Sequence, residues 1–414
     1  MALEDPGSRA LAYGQRAIDD PAARVTEDRV TGNGSLAIAR ADDPGGDETA
    51  GGGSATTTAT LPSPFSSRLD AKLTEVTAPH PLRTAVDAAA GTKSFKGMAF
   101  ALADFSTSGV RSYAGSHDNE QRFIASTGKL AILFAAFQLR KAMREAAALI
   151  TDRAVKKDTH LFDAITRKWS ATIRRYFHGS GGNDSLPSLA QIFAATPRNA
   201  GGWDIAFSDT PRGGTGAAFT DRLREAVMDS RDDKAASCIR DLGFPYIHGC
   251  LAEAGLWERG KGLWIALDYH GGLWWPDTAK DVGSAQAATA RTLVELMTLL
   301  EFDELVPGSR GEMRDLLSGA RAGQHIGARS YVTKALTGQK LTDGERSTIE
   351  TRTKVGFTVR ANTHCDAGIA QRFSIAGKLR YAVAILNAVN EDVATQAARA
   401  IDIALLASHV PPPP

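Results

Sequence analysis

From Leu130 to Phe137 the chain reads Leu-Ala-Ile-Leu-Phe-Ala-Ala-Phe, and a helix built from it has no polar side to turn toward water. The stretch lies inside a longer helical pattern, Phe123 to Ile150. It falls far short of the roughly 20 apolar residues that a membrane helix needs. A helix of this kind has to be wrapped by the rest of its own protein. The chain has material for that: 43% of its 414 residues are hydrophobic and 23% are charged. That length suits two or three domains, or one large mixed domain with a tail.

The wrapping elements are legible on both sides of the helix. Met98 to Phe105 and Val110 to Ala114 read as strands joined by Ser106-Thr107-Ser108-Gly109, so a hairpin is expected. Before it, Leu69, Leu73, Val76, Leu82 and Val86 suggest one or two helices. After the apolar helix, Leu161, Ile165, Trp169, Ile173 and Phe177 recur every fourth residue, and Ala285 to Leu305 repeats the pattern. Strand character returns at Ile349 to Val359, Ala367 to Ile375 and Arg380 to Ala388, with a turn at Ala376-Gly377-Lys378, and Asp392 to Ser408 closes as a helix.

Strands at both ends with helices between them predict an α/β (α+β) fold, in which one antiparallel sheet, of a five-stranded type, is drawn from both chain ends and flanked by helices. An all-helical lobe is inserted in it. The expected divisions are a disordered tail and linker over 1–67, the first part of the α/β lobe over 68–125, the helical lobe over 126–348, the second part of the α/β lobe over 349–410 and a tail over 411–414. The first segment is rich in Gly, Asp, Ala, Thr and Pro and cannot bury enough apolar surface to offset chain entropy.

Charge and composition exclude several function classes. Forty-eight basic against forty-seven acidic residues, with no long basic block, disfavour nucleic acid as a partner. Met1 to Asp20 has no apolar run, so as written the protein is expected to be soluble and cytoplasmic, without an export address or a membrane span. Cys238, Cys250 and Cys365 are too few and too irregular for a disulfide scaffold or a closed zinc site. They read as buried thiols, with a Cys238 to Cys250 bridge left open. Thr363-His364-Cys365-Asp366 lacks a second ligand pair and reads as a loop, as does Gly213-Gly214-Thr215-Gly216; neither a metal nor a cofactor is expected. His270-Gly271-Gly272 has no Gly-x-Ser-x-Gly partner, which excludes an α/β-hydrolase. Trp264, Trp274 and Trp275 are read as packing rather than as a substrate groove.

Chemistry is concentrated at the start of the apolar helix, in Ser126-Thr127-Gly128-Lys129. A serine hydroxyl needs a base within hydrogen-bond reach to lose its proton at neutral pH. Three residues along a helix puts Lys129 on the same side as Ser126, and a lysine in an apolar, partly desolvated site can have its pKa lowered enough to serve. Ser-x-x-Lys alone is also what an ordinary helix cap followed by a lysine produces. Further along stand Ser230-Arg231-Asp232, at the end of a helical pattern, and Lys354-Val355-Gly356, on an expected strand.

With these three motifs in this order, the chain resembles the serine β-lactamase and penicillin-binding protein superfamily, whose motifs are Ser-x-x-Lys, Ser-x-Asn and Lys-Thr-Gly. The resemblance runs from about Phe95 to Val410. Arg122-Phe123-Ile124-Ala125, Lys234-Ala235-Ala236 and the helix Ala287 to Leu300 are similar to the class A β-lactamase branch. It implies a β-lactamase/transpeptidase-like fold and a serine hydrolase that forms an acyl-enzyme on Ser126 with an amide, lactam or ester, from a small-molecule or peptide substrate. Lys129 would be the base, Ser230 a proton relay to the leaving atom, and Lys354 the group that positions that hydroxyl and attracts the substrate's negative charge. The oxyanion would be held by the backbone NH groups of Ser126 and Phe357. Gly356 would let substrate approach the strand closely. A penicillin-binding, DD-peptidase-like or catalytically degenerate binding member of the same fold is the alternative. Such proteins commonly act in the periplasm or outside the cell.

Two positions depart from the motifs. Asp232 replaces an amide with a carboxylate that, when ionised, only accepts; it can pair with Lys129 but offers a substrate carbonyl no donor. Val355 replaces a hydroxyl that helps hold a substrate carboxylate. Between Gly255 and Gly283 stand Glu258, Asp268, Asp277 and Asp281, none in the Glu-x-x-Leu-Asn setting of the family's deacylating base, so fast lactam hydrolysis is not expected.

Overall fold

The structure, a computed structural model, describes residues 61–150, 157–176, 185–199, 201–211, 216–258, 261–265, 269, 286–322, 324–328, 330–358, 363–374 and 377–409. Its centre is a sheet of strands β1 (Thr74–Glu75), β2 (Ala99–Asp104), β3 (Ser112–Ser116), β4 (Ser318–Arg321), β5 (Gln324–Ile326), β6 (Glu350–Thr358), β7 (Thr363–Ser374) and β8 (Gly377–Ala388), in the spatial order β1-β3-β2-β8-β7-β6-β4-β5. All neighbours are antiparallel except β1 and β3. The two chain ends meet where β2 pairs with β8, Phe100 opposite Ile385 and Leu102 opposite Val383.

Both faces of these central strands are buried, and they differ in side-chain size. Ala99, Ala101, Ala103, Ala382 and Ala384 face one hydrophobic cluster, while Phe100, Leu102, Tyr381, Val383 and Ile385 face the other. The alternation is the period of two that a strand imposes. On the bulky face pack helices α1 (Pro81–Ala90), α8 (Tyr331–Thr337) and α9 (Glu391–His409); on the alanine face lies α7 (Ala290–Glu301). Beyond it are α2 (Lys129–Leu149), α3 (Asp158–Arg174), α4 (Phe219–Val227), α5 (Asp232–Leu242) and α6 (Phe244–Glu253). The apolar run is the middle of this assembly: every residue of α2 from Lys129 to Arg140 is buried. No helix among the described residues is long and apolar enough to cross a membrane.

Several expectations are corrected. The pattern at Leu69, Leu73 and Val76 is not helical; the chain there is extended, and Thr74–Glu75 pairs with β3, leaving α1 as the helix of that region. Packed chain begins before 68: the Phe65 ring lies against Tyr246 and Tyr176, and Trp169 and Tyr246 donate to the carbonyls of Pro62 and Pro64. A Cβ at Gly249 would collide with that ring. The helical span also carries a hairpin, Phe193–Pro197 with Trp203–Phe207, and its far end supplies β4 and β5 to the sheet. Thr363-His364-Cys365-Asp366 is the start of β7 rather than a loop. All three cysteines are free and buried, and burial pushes the Cys238 and Cys365 thiols up to about 12. Trp264 is buried against His248, Phe244 and Trp257, as packing requires. Residues 1–60 and 410–414, Gly213-Gly214-Thr215, Phe177, Asp268, His270-Gly271-Gly272, Trp274, Trp275, Asp277 and Asp281 lie outside the described residues.

The closing helix is tied down by a buried carboxylate. Asp402 accepts from Arg372 Nη1 at 2.6 Å, Gln339 Nε2 at 2.9 Å and Tyr381 Oη at 3.0 Å. Removing one member leaves a buried guanidinium without its countercharge. Asp402→Ala is expected to lower the unfolding free energy by about 3–5 kcal/mol, read from urea denaturation; a change under about 1 kcal/mol would contradict this account.

Candidate active site

Strand pairing cuts short the helix expected from Phe123. Arg122–Phe123 pairs with Ala287–Ala288, and the Ile124 NH donates to the Gln286 carbonyl at 3.0 Å. A 3₁₀ turn, Ala125–Gly128, follows, entered through a left-handed Ala125 at φ 45°, and the α-helix starts at Lys129. In a 3₁₀ turn residues three apart eclipse, which serves Ser126 and Lys129 better than an α-turn does. Their Oγ and Nζ are 3.2 Å apart.

Lys129 is fully buried at the head of the apolar helix, and its Nζ has two other partners, the Ser230 carbonyl at 2.6 Å and Asp232 Oδ1 at 2.5 Å. Those contacts fit both protonation states. An ammonium has three N–H groups for three acceptors; the neutral amine spends two on Ser230 and Asp232 and turns its lone pair to the Ser126 hydroxyl. Burial holds the pKa of Lys129 below the ordinary lysine value, although the adjacent Asp232 carboxylate opposes the shift. Asp232 is thus the counterion of Lys129, sitting at the first position of α5.

Ser230 occupies the break between α4 and α5 with a left-handed backbone, φ 62°, which points its carbonyl at Lys129 and its hydroxyl toward β6. There Lys354 Nζ, fully buried, donates to Ser230 Oγ at 2.7 Å and to the Val355 carbonyl at 3.0 Å. Burial, with the charge of Lys129 next, holds Lys354 well below the ordinary value. The charges of Asp232 and Asp366 oppose that shift, and burial raises Asp366 itself to about 6. The four motif residues therefore form one hydrogen-bonded chain, Ser126 to Lys129 to Ser230 to Lys354.

Gly356 stands against the Ala125–Gly128 turn. A Cβ there would sit 2.6 Å from the Thr127 backbone nitrogen and 2.7 Å from Thr127 Oγ1, closer than real atoms approach. The missing side chain makes room for the Ala125–Gly128 turn, while Thr127 Oγ1 donates to the Lys354 carbonyl at 3.2 Å and staples turn to strand. Because Lys354 and Gly356 face the turn, Val355 and Phe357 face the other side of the sheet. Val355 lies in that side's core, and the exposed Phe357 ring stacks on His364. Phe357 thus offers the site its main chain only. Beyond Ser318 opposite Thr353, β4 no longer pairs with β6, so from Lys354 onward that edge has no strand beside it among the described residues.

Sequence reasoning missed Tyr269 and Gln286. Tyr269 Oη donates to Ser126 Oγ at 2.9 Å, and its ring lies under Lys129 Nζ, 4.6 Å from the centroid. The Gln286 side chain donates to the Tyr269 carbonyl, and the Gln286 carbonyl accepts from Ile124. No motif marks a tyrosine for this place. Glu258, a carboxylate weighed for deacylation, is exposed and paired with Arg68 at 2.9 Å. Among the described residues no group of His, Cys, Asp and Glu is placed to hold a metal ion.

No family model matches the sequence, and no curated protein resembles it closely enough to count as a match. Solved structures of β-lactamases and of PBP-A are similar to this chain in fold. PBP-A is 15% identical with a TM-score of 0.46, over 84% of this chain and 100% of its own. A β-lactamase from Sphaerobacter thermophilus is 15% identical with a TM-score of 0.43, over 80% and 98%. The TLA-1 extended-spectrum β-lactamase is 12% identical with a TM-score of 0.43, over 78% and 98%. These are likenesses of overall fold, and the chemistry of the site rests on its own geometry.

The pairing of Lys129 with Asp232 has a signed consequence. A lysine base acts as the neutral amine, so acylation of Ser126 should rise with pH through the Lys129 pKa. Asp232→Asn removes the charge that raises that pKa and should move the acid limb of the rate profile to lower pH. An unmoved or rising midpoint would count against Lys129 as the base.

Proposed function

We propose that this protein is a serine hydrolase that forms an acyl-enzyme on Ser126 from an amide, lactam or ester substrate. The observation that carries the reading is the fully buried Lys129, depressed in pKa and in contact with both the Ser126 hydroxyl and the Ser230 main chain. Burying two lysines costs stability, and perturbed, desolvated groups set against two serine hydroxyls are what a reactive site requires.

In the first half-reaction Ser126 Oγ bonds to the carbonyl carbon and its proton passes to Lys129. The carbonyl oxygen takes the negative charge, facing the NH groups of Ser126 and Phe357. The bond to the leaving nitrogen or oxygen then breaks as that atom takes the Ser230 proton, which Lys354 replaces. Water or an amine attacks the ester in the second half-reaction and gives a proton to Ser230 and so to Lys354, while Oγ departs with the proton held by Lys129. The substrate is a small molecule or a peptide, laid along the open edge of β6, where Gly356 and Phe357 present main chain. Asp232, engaged by Lys129, leaves recognition of the substrate's amide to other groups, and Val355 contributes no hydroxyl. Broad acyl chemistry is therefore favoured over an ordinary penicillin as substrate.

Covalent labelling tests this. Incubation with a fluorophosphonate and, separately, with a fluorescent penicillin should give a fluorophosphonate adduct that peptide mass spectrometry places on Ser126. Ser126→Ala should abolish it, and Lys129→Ala should slow it by about 100-fold or more, the size expected when a general base is lost. Folded protein that takes up neither reagent would sink the proposal. A stable penicilloyl adduct would mark a penicillin-binding role, and turnover of penicillin a lactamase.

A further inference from the structure

The nucleophile has a second polar neighbour that the Ser-x-x-Lys mechanism does not use. Ser126 Oγ lies 3.2 Å from Lys129 Nζ and 2.9 Å from Tyr269 Oη, and these are its hydrogen-bond partners among the described residues. A hydroxyl oxygen carries one proton and two lone pairs. When Lys129 is neutral, the Ser126 proton points at its nitrogen. A phenol donating from the other side occupies one lone pair, and a single lone pair is left to attack a carbonyl. Without Tyr269 the oxygen could rotate its lone pairs; with it, the attacking orbital has one direction.

We infer that Tyr269 is a catalytic residue of this site: its phenol donates to Ser126 Oγ and orients it for attack, and its ring shields Lys129 from water. The inference rests on Ser126 being the nucleophile. Tyr269 is well placed for such work. Its side chain is only 6% exposed, and its carbonyl is held by Gln286, the residue whose own carbonyl fixes Ile124 at the entrance to the nucleophile turn. One residue therefore locks the phenol and the serine into a common frame. Burial raises the phenol pKa far above its usual value, so the group keeps its proton and stays a neutral donor. The same donation acts in the second half-reaction: as the bond from the acyl carbon to Oγ breaks, the phenol hydrogen stabilises the alkoxide before the proton from Lys129 reaches it. The ring has a separate place in the site: its centroid lies 4.6 Å from Lys129 Nζ and its face covers one side of that buried group.

Two substitutions separate phenol from ring. Tyr269→Phe should lower the second-order rate constant for fluorophosphonate labelling of Ser126 by about 10- to 100-fold, with the acid-limb midpoint unchanged, since the ring still covers Lys129. Tyr269→Ala, which removes phenol and ring together, should lower it at least as much. A phenylalanine variant that labels at the wild-type rate overturns the inference. Should either variant fold poorly by circular dichroism, 3-fluorotyrosine and 3,5-difluorotyrosine at position 269 replace it, because ring fluorines make the phenol a stronger acid at almost constant volume. The labelling rate should then change progressively with phenol acidity, and a flat response also overturns the inference. Wild-type protein that shows no labelling of Ser126 at all would instead defeat the proposed function, so the two failures are distinguishable.

Discussion

The approach of the Ala125–Gly128 turn to β6 is the contact on which the rest of the site depends. Gly356 has no side chain where Thr127 needs the space, and Thr127 Oγ1 bonds the Lys354 carbonyl. Through that contact the head of α2, surrounded by the helical lobe, is pressed against a strand of the sheet. Lys129 and Lys354 then fall on either side of Ser230, and neither lysine reaches water. Any residue larger than glycine at 356 would push the turn away and part the two lysines from their shared serine.

That arrangement sets the electrostatics. Burial strips both lysines of hydration and favours the neutral amine, and at Lys354 the charge of Lys129 acts in the same direction. Asp232 on one side and Asp366 on the other moderate the shift without cancelling it. Asp232 is half exposed, so its pull on Lys129 is softened by solvent. A carboxylate at this place alters the motif yet suits the lysine, whose two spare N–H groups need acceptors in either protonation state.

The sheet explains why the site can tolerate such cost. Alanines on one face of β2 and β8 let α7 pack close, and large apolar residues on the other face anchor α1, α8 and α9. The apolar α2 behind Ser126 adds a rigid floor. A well-packed scaffold on both sides holds strained points such as Ala125 and Ser230, both with left-handed backbones, in the conformations that aim their groups at one another.

Much of this was legible along the chain. The apolar helix, the hairpin of β2 and β3, the three C-terminal strands and the three-residue step from Ser126 to Lys129 all follow from spacings of 2, 3.6 or 3 between neighbours in sequence, which local backbone geometry dictates. Where the local signal was ambiguous, packing decided otherwise: Leu69 to Val76 stayed extended because a strand edge was available to pair with it, and Arg122–Phe123 left the helix to pair with Ala287–Ala288. The chemistry divides in the same way. Sequence alone determined which serine and lysines carry the motifs and that Asp232 and Val355 depart from them. Only the tertiary structure decided that Asp232 serves Lys129, that Gly356 makes room for the turn, and that Tyr269 reaches Ser126 from 143 positions away. Distances between residues so far apart are set by how helices and sheet pack, and no periodicity in the chain encodes them.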